Sequence, residues 1–153
     1  MKVVIEIEEN LNEVEIVIRC RQLSKDIQEI QRLIQNASSG VSSLVFYKNN
    51  MEFYFPPEDI LFFETSSECV YAHTAGDAFL TKTRLYELEE ILPPDFIRVS
   101  KSTILNIRHI LAIERNLASA SLIKFKKSHK QVYASRSYFN NLKQRIAERF
   151  LYR

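Results

Sequence analysis

Glycine occurs only at Gly40 and Gly76 in 153 residues, and that scarcity closes off whole classes of fold before any other pattern is weighed. Phosphate-cradling loops need several residues at positive φ or in close backbone approach, so neither a P-loop nor a dinucleotide-binding βαβ unit can be built from this chain. The length fits one ordinary domain with a small appendage. With 46% apolar residues, 10 Phe and 7 Tyr, the chain has enough material for a packed core.

The first 40 residues read as a small ββα appendage. Val3, Ile5 and Ile7, then Val14, Ile16 and Ile18, recur at every second position, interleaved in part with Glu6 and Glu15, across Glu9-Asn10-Leu11-Asn12, as in a half-buried hairpin. Ser24 then caps a helix with Ile27, Ile30 and Ile34 on one stripe, and the stretch Asn36 to Gly40 ends it as a linker. From Leu44 onward the pattern becomes short strands. These are 44–48 and 51–55 around a tight Asn49-Asn50 turn, 60–64, 69–74, 79–82, 96–99, 104–107, 110–114, 122–125 and 131–134. Pro57-Glu58-Asp59 forms a helical turn, Thr65 to Glu68 a polar loop, and Ser100 to Thr103 a polar knot between strands. Thr83 is expected to cap a short helix with Leu85, Leu88 and Leu92 on its inner side, stopped by Pro93-Pro94. Ser135 caps a terminal helix whose stripe is Phe139, Leu142, Ile146 and Phe150. The expected class is therefore mainly β with short helices, α+β, with domains at 1–40 and 41–153.

The net charge of +2 conceals a division. Residues 1–97 hold 8 Lys/Arg against 17 Asp/Glu, whereas residues 98–153 hold 13 Lys/Arg against Glu114 and Glu148. A basic C-terminal part of this kind points to an anionic partner, because clustered cations release condensed counterions on meeting a polyanion. An acidic protein or an anionic surface would satisfy the same charge, so a plain interaction module is the alternative to a DNA-binding function. The basic residues collect in loops and at the last helix, which disfavours a helix-turn-helix.

Chemistry of other kinds finds little support. Cys20 and Cys69 are too few to staple a secreted domain and form no C-x-x-C pair, which points to a reducing cytoplasm. No apolar run approaches the about 20 residues needed to span a bilayer. His73, His109 and His129 are isolated in sequence, so neither a metal site nor a cofactor is expected. Ser100-Lys101-Ser102 lacks the glycine-rich turn and oxyanion motif of a serine nucleophile, and no enzyme is expected.

One stretch carries a more specific message. Phe96-Ile97-Arg98-Val99-Ser100-Lys101-Ser102-Thr103-Ile104-Leu105-Asn106, followed by Ile110, resembles the signature of the LytTR DNA-binding domain. The likeness continues upstream in Glu58-Asp59-Ile60, Phe62-Phe63-Glu64 and the helix from Leu85 to Leu92, and downstream in Ala134-Ser135-Arg136 before the final helix. It covers about residues 42 to 150. No receiver domain fits into the first 40 residues, so the chain resembles a stand-alone LytTR regulator, a transcription factor.

The resemblance implies an antiparallel β fold that grips double-stranded DNA with loops set in successive major grooves. It implies a first loop containing Ser66 and Ser67, with Glu68 an odd neighbour for phosphate, and a second loop containing Arg98, Lys101 and Ser102, where Lys101 is placed to donate to guanine. The third segment, Arg136 and Ser137, opens the last helix, with either residue as the base reader and Arg136 preferred. Asn106 is expected to satisfy backbone in a bend. Lys126, Lys127 and Lys130 are expected to attract phosphate generally. Residues 1–40 are expected to need a partner, since so small a unit shields little apolar surface alone: either the same unit of a second chain, which makes a homodimer, or the LytTR-like body of the same chain.

Overall fold

The computed structural model describes residues 16–22, 24–38 and 44–151, together with Ile7. The chain divides into two units, residues 1–34 and 35–153. In the first, the hairpin expected over Val3 to Ile18 lies largely outside the described residues; of those described there, Ile7, Ile16 and Val17 are exposed. Of the stretch Asn36 to Gly40 expected to end the helix as a linker, Asn36, Ala37 and Ser38 are still helical, and Ser39 and Gly40 lie outside the described residues. Helix α1 runs Lys25–Ser38, and its cap is the expected one. The Ser24 hydroxyl accepts from the Ile27 N–H at 3.4 Å, and the Ser24 carbonyl accepts from the Gln28 N–H at 3.0 Å.

The second unit carries ten strands among the described residues: β1 Phe46–Lys48, β2 Met51–Phe53, β3 Phe62–Ser66, β4 Cys69–His73, β5 Ala78–Thr81, β6 Phe96–Ser100, β7 Thr103–Asn106, β8 Ile110–Glu114, β9 Ser121–Phe125 and β10 Gln131–Ala134. Helix α2, Leu85–Ile91, lies between β5 and β6, and α3, Arg136–Leu151, follows β10. The first seven strands form one sheet in the order β2-β1-β5-β4-β3-β7-β6, and the last three form a second in the order β10-β9-β8. All the ladders are antiparallel, so short turns suffice to join neighbours.

Turn chemistry explains several of these joins. Asn49 and Asn50 both take positive φ, 52° and 59°, which matches the strand twist across a two-residue hairpin turn and suits asparagine. Ser67 and Glu68 do the same at 49° and 66°. The expected four-residue loop over Thr65 to Glu68 is therefore shorter: Thr65 and Ser66 continue β3, and Ser66 pairs with Cys69. Helix α2 departs from expectation by one residue. Arg84, not Thr83, precedes it, and the Arg84 N–H is satisfied by the Glu87 carboxylate at 2.8 Å.

Consecutive strand residues face opposite sides, and β3 uses this to divide two cores. Phe63 packs with Phe46, Val70, Phe79, Ile104 and Leu88 of α2 on one face of the larger sheet. Phe62 packs on the other face, with Leu105, Ile123 and Phe125, under Phe139 and Leu142 of α3. Each such buried side chain contributes about 1.5 to 3 kcal/mol relative to exposure. The side chain of Phe150, the expected end of the α3 stripe, lies outside the described residues. Asn106, 1% exposed, ties the centre together: its Nδ2 donates to the Ile60 carbonyl at 3.2 Å and its Oδ1 accepts from the Arg108 N–H at 3.1 Å.

Candidate nucleic-acid interface

The strand directions decide which turns share an end of the sheets. Glu64 pairs with Thr103 and Ser100 with Thr103, so the β3–β4 turn and the β6–β7 turn emerge side by side. The Thr65 N–H donates to the Ser102 carbonyl at 2.8 Å and joins them. The Ser135 N–H donates to the Val99 carbonyl at 2.8 Å and brings the start of α3 to the same end. Ser66 and Ser67, Lys101 and Ser102, and Arg136 and Ser137 thus come from three distant stretches of chain to one edge, and all six are exposed. Arg136 and Ser137 form the first turn of a 16-residue helix, whose free N–H groups and dipole add positive potential there.

Arg98 sits beneath this edge, engaged at all three guanidinium nitrogens. Nε donates to the Ser100 carbonyl at 2.7 Å, Nη1 to Glu89 at 3.0 Å, and Nη2 to the Lys101 carbonyl. The guanidinium fixes the turn from which Lys101 projects. The turn is tightened further by the Ser102 N–H, which donates to the Ser100 hydroxyl at 3.2 Å.

Two cations that sequence reasoning passed over join the edge. Thr81 pairs with Val70, next to the β3–β4 turn, so the chain leaving β5 places Lys82 and Arg84 there. An open cleft of about 460 Å³ has Glu68, Lys82, Arg84, Arg98 and Lys101 in its walls, with Val70, Leu80 and Leu85 among its apolar lining. The signal for these two was a pairing between strands, which no local pattern in the sequence displays.

Lys126 and Lys127 are not brought to this edge. They occupy the β9–β10 turn, at the end of β9 opposite Ser121, a strand's length away, roughly 15 Å. There the Lys126 N–H donates to the His109 carbonyl at 2.8 Å, and Ser128 Oγ donates to the Ala75 carbonyl at 3.0 Å. Lys130 Nζ reaches the Asp77 carbonyl and lies 3.4 Å from His73 Nδ1. Burial, reinforced by the Lys130 cation, pulls the His73 pKa down to about 4. The ring is therefore neutral at pH 7, and its 3.5 Å approach to Glu64 is no ion pair there. Among the described residues no group of three or more His, Cys, Asp or Glu is placed to hold a metal ion, and no helix is long and apolar enough to cross a membrane.

A two-sheet β domain that gathers two exposed turns, a helix start and an excess of cations on one edge defines a class: proteins that meet a polyanion with loops instead of a recognition helix. The particular family is shown by comparison. The LytTr DNA-binding domain matches residues 51–147, and the chain belongs to that family. A solved LytTr DNA-binding domain from Bacillus cereus superposes with a TM-score of 0.64 at 25% identity, covering 70% of this chain and 98% of that one. Two Staphylococcus aureus proteins named as uncharacterized HTH-type transcriptional regulators are each 33% identical over 143 residues, spanning 90% of this chain and 94% of theirs. Their name refers to a helix-turn-helix; in this chain strands separate each α-helix from the next among the described residues.

Proposed function

We propose that this protein is a transcriptional regulator that reads duplex DNA with the edge built from the β3–β4 turn, the β6–β7 turn and the start of α3. Lys101 and Arg136 donate to base edges in major grooves, where guanine offers O6 and N7 together. Ser66, Ser67, Ser102 and Ser137 bond phosphate oxygens and set the register, while Arg98 acts through the turn it holds. Lys126 and Lys127 lie outside the contact in this reading, because about 8 Å of screening at physiological salt is shorter than their distance from the edge. The observation that carries this reading is the pair of backbone hydrogen bonds, Thr65 to Ser102 and Ser135 to Val99, that lock three signature segments into one surface.

Residues 1–40 serve as the dimer contact in this reading. Their support is chemical: α1 carries the stripe of Ile27, Ile30 and Ile34, and a unit this small shields too little apolar surface by itself. The staphylococcal relatives align over nine tenths of the chain, so most of this segment has a counterpart in them. Footprinting on the DNA upstream of the protein's own gene, against random duplex at about 0.15 M salt, tests the function. Protection at a defined site is expected; equal affinity for both would refute it.

A further inference from the structure

We infer that the connection from β5 to α2 is a fourth DNA-contacting segment, in which Lys82 and Arg84 bind the sugar-phosphate backbone lying in the cleft opposite Lys101. The inference rests on the proposed function and adds to it a segment outside the three signature loops.

The geometry begins with the cleft. One wall is the β6–β7 turn with Lys101; the other includes Lys82 and Arg84; the β3–β4 turn, with Glu68 among the lining residues, stands between them in strand order. A hairpin turn is two strands wide, about 5 Å between backbones and more with side chains, so it occupies most of a major groove of about 12 Å. With the Lys101 turn in the groove, a phosphate backbone runs along each flank of that turn. On one flank the free space is the cleft, and a backbone entering it meets Lys82 and Arg84.

The charge pattern agrees. Away from the edge, five of the ten described cations of this unit have carboxylate partners: Lys48 with Asp77, Arg108 and Arg149 with Asp95, Lys124 with Glu114 and Arg145 with Glu148. Lys82 and Arg84 are exposed, and neither has a carboxylate partner for its side chain among the described residues. Lys82 rests over the Tyr47 ring, 4.5 Å from its centroid, which holds the ammonium in place without neutralising it. Both residues belong to the acidic part of the sequence. Antiparallel pairing of β5 with β4 carries them to the basic edge, against the charge of their neighbours.

The test is the salt dependence of binding by the full chain, measured by fluorescence anisotropy on the protected upstream duplex and on a mixed-sequence duplex. Lys82→Gln with Arg84→Gln keeps the side-chain stems, and the Arg84 backbone cap on Glu87 is untouched. The double variant should bind both duplexes more weakly, by roughly ten- to thirty-fold at about 0.15 M salt, with a log–log salt slope shallower by about 0.9 for each phosphate no longer neutralised. Its preference for one duplex over the other should not change. Thermal melting of the variant reports folding; if it melts early, Arg84→Gln alone, which leaves Lys82 on the Tyr47 ring, should still make the slope shallower by about 0.9. An unchanged slope in a folded variant overturns the inference. Absence of any preference in the wild-type chain would instead refute sequence reading, and the slope on mixed-sequence DNA would still judge Lys82 and Arg84.

Discussion

Arg98 holds Lys101 by its backbone: the guanidinium donates from Nη2 to the Lys101 carbonyl while its Nε, 2.7 Å from the Ser100 carbonyl, grips the preceding residue. The cation that matches the family signature is thus turned inward, toward the turn and Glu89, and the cation that meets solvent is its neighbour.

Arg98→Ala should lower stability by about 1 to 3 kcal/mol, because carbonyls of the turn lose charged donors. It should also weaken specific binding, through a turn that no longer presents Lys101. The check is a double-mutant cycle with Lys101→Ala: the combined loss should fall short of the sum of the single losses. Strict additivity would make Arg98 an independent DNA contact.

Lys101→Ala and Arg136→Ala should each cost about 1 to 3 kcal/mol of specific binding and relax preference at particular base pairs, with melting temperature nearly unchanged since both side chains are exposed. Selection of binding sites from a random library reads this directly. Equal losses on specific and random DNA would reassign them to phosphates. Running Ser137→Ala in parallel decides which of Arg136 and Ser137 faces a base.

Neutralising Lys126 and Lys127 together should leave the salt slope unchanged above about 0.1 M salt, in contrast to the phosphate attraction expected from sequence, because roughly a strand's length separates them from the edge. A slope shallower by about 0.9 or more would bring the β9–β10 turn onto the duplex.

His73 makes stability depend on pH. Its folded pKa, about 4, lies below the ordinary 6.5, so the unfolded chain binds the extra proton first. The contribution is complete above pH 6.5 and is lost as the pH falls from there toward 4. Partial exposure limits it to on the order of 2 kcal/mol. Urea titrations at about pH 4.5 and about pH 7 should show most of this difference, and His73→Gln should reduce it.

A chain beginning at Val41 should sediment as a monomer and bind its site more weakly, while the full chain sediments as a dimer. Two monomers at tens of micromolar would exclude the dimer, a concentration range at which weak association is still visible.

Much of this was legible because the strands are short and strictly patterned. The Asn49-Asn50 turn, the Ser24 cap and the buried role of Asn106 follow from residue chemistry acting within a few positions. What escaped depended on partners far along the chain. Ser67 and Glu68 adopt positive φ without Gly or Asn, so Thr65 and Ser66 read as loop when pairing with Val70 and Cys69 makes them strand. Lys126 and Lys127 share a sign with Lys101, and only strand direction separates them. Lys82 and Arg84 lie in an acidic stretch that masked their destination.

Phe62 and Phe63 hang from adjacent positions of one backbone, yet each anchors a different apolar cluster. Neither cluster can dissolve while β3 keeps its ladders, and neither can keep them if the other dissolves. The slowest-exchanging amides should therefore lie in β3 and its neighbours β4 and β7, with a single opening free energy common to both sides. Because two of the turns proposed to face DNA grow directly from those three strands, their shape persists for as long as the whole unit stays folded, and a duplex bound there would meet a surface that needs little ordering on arrival.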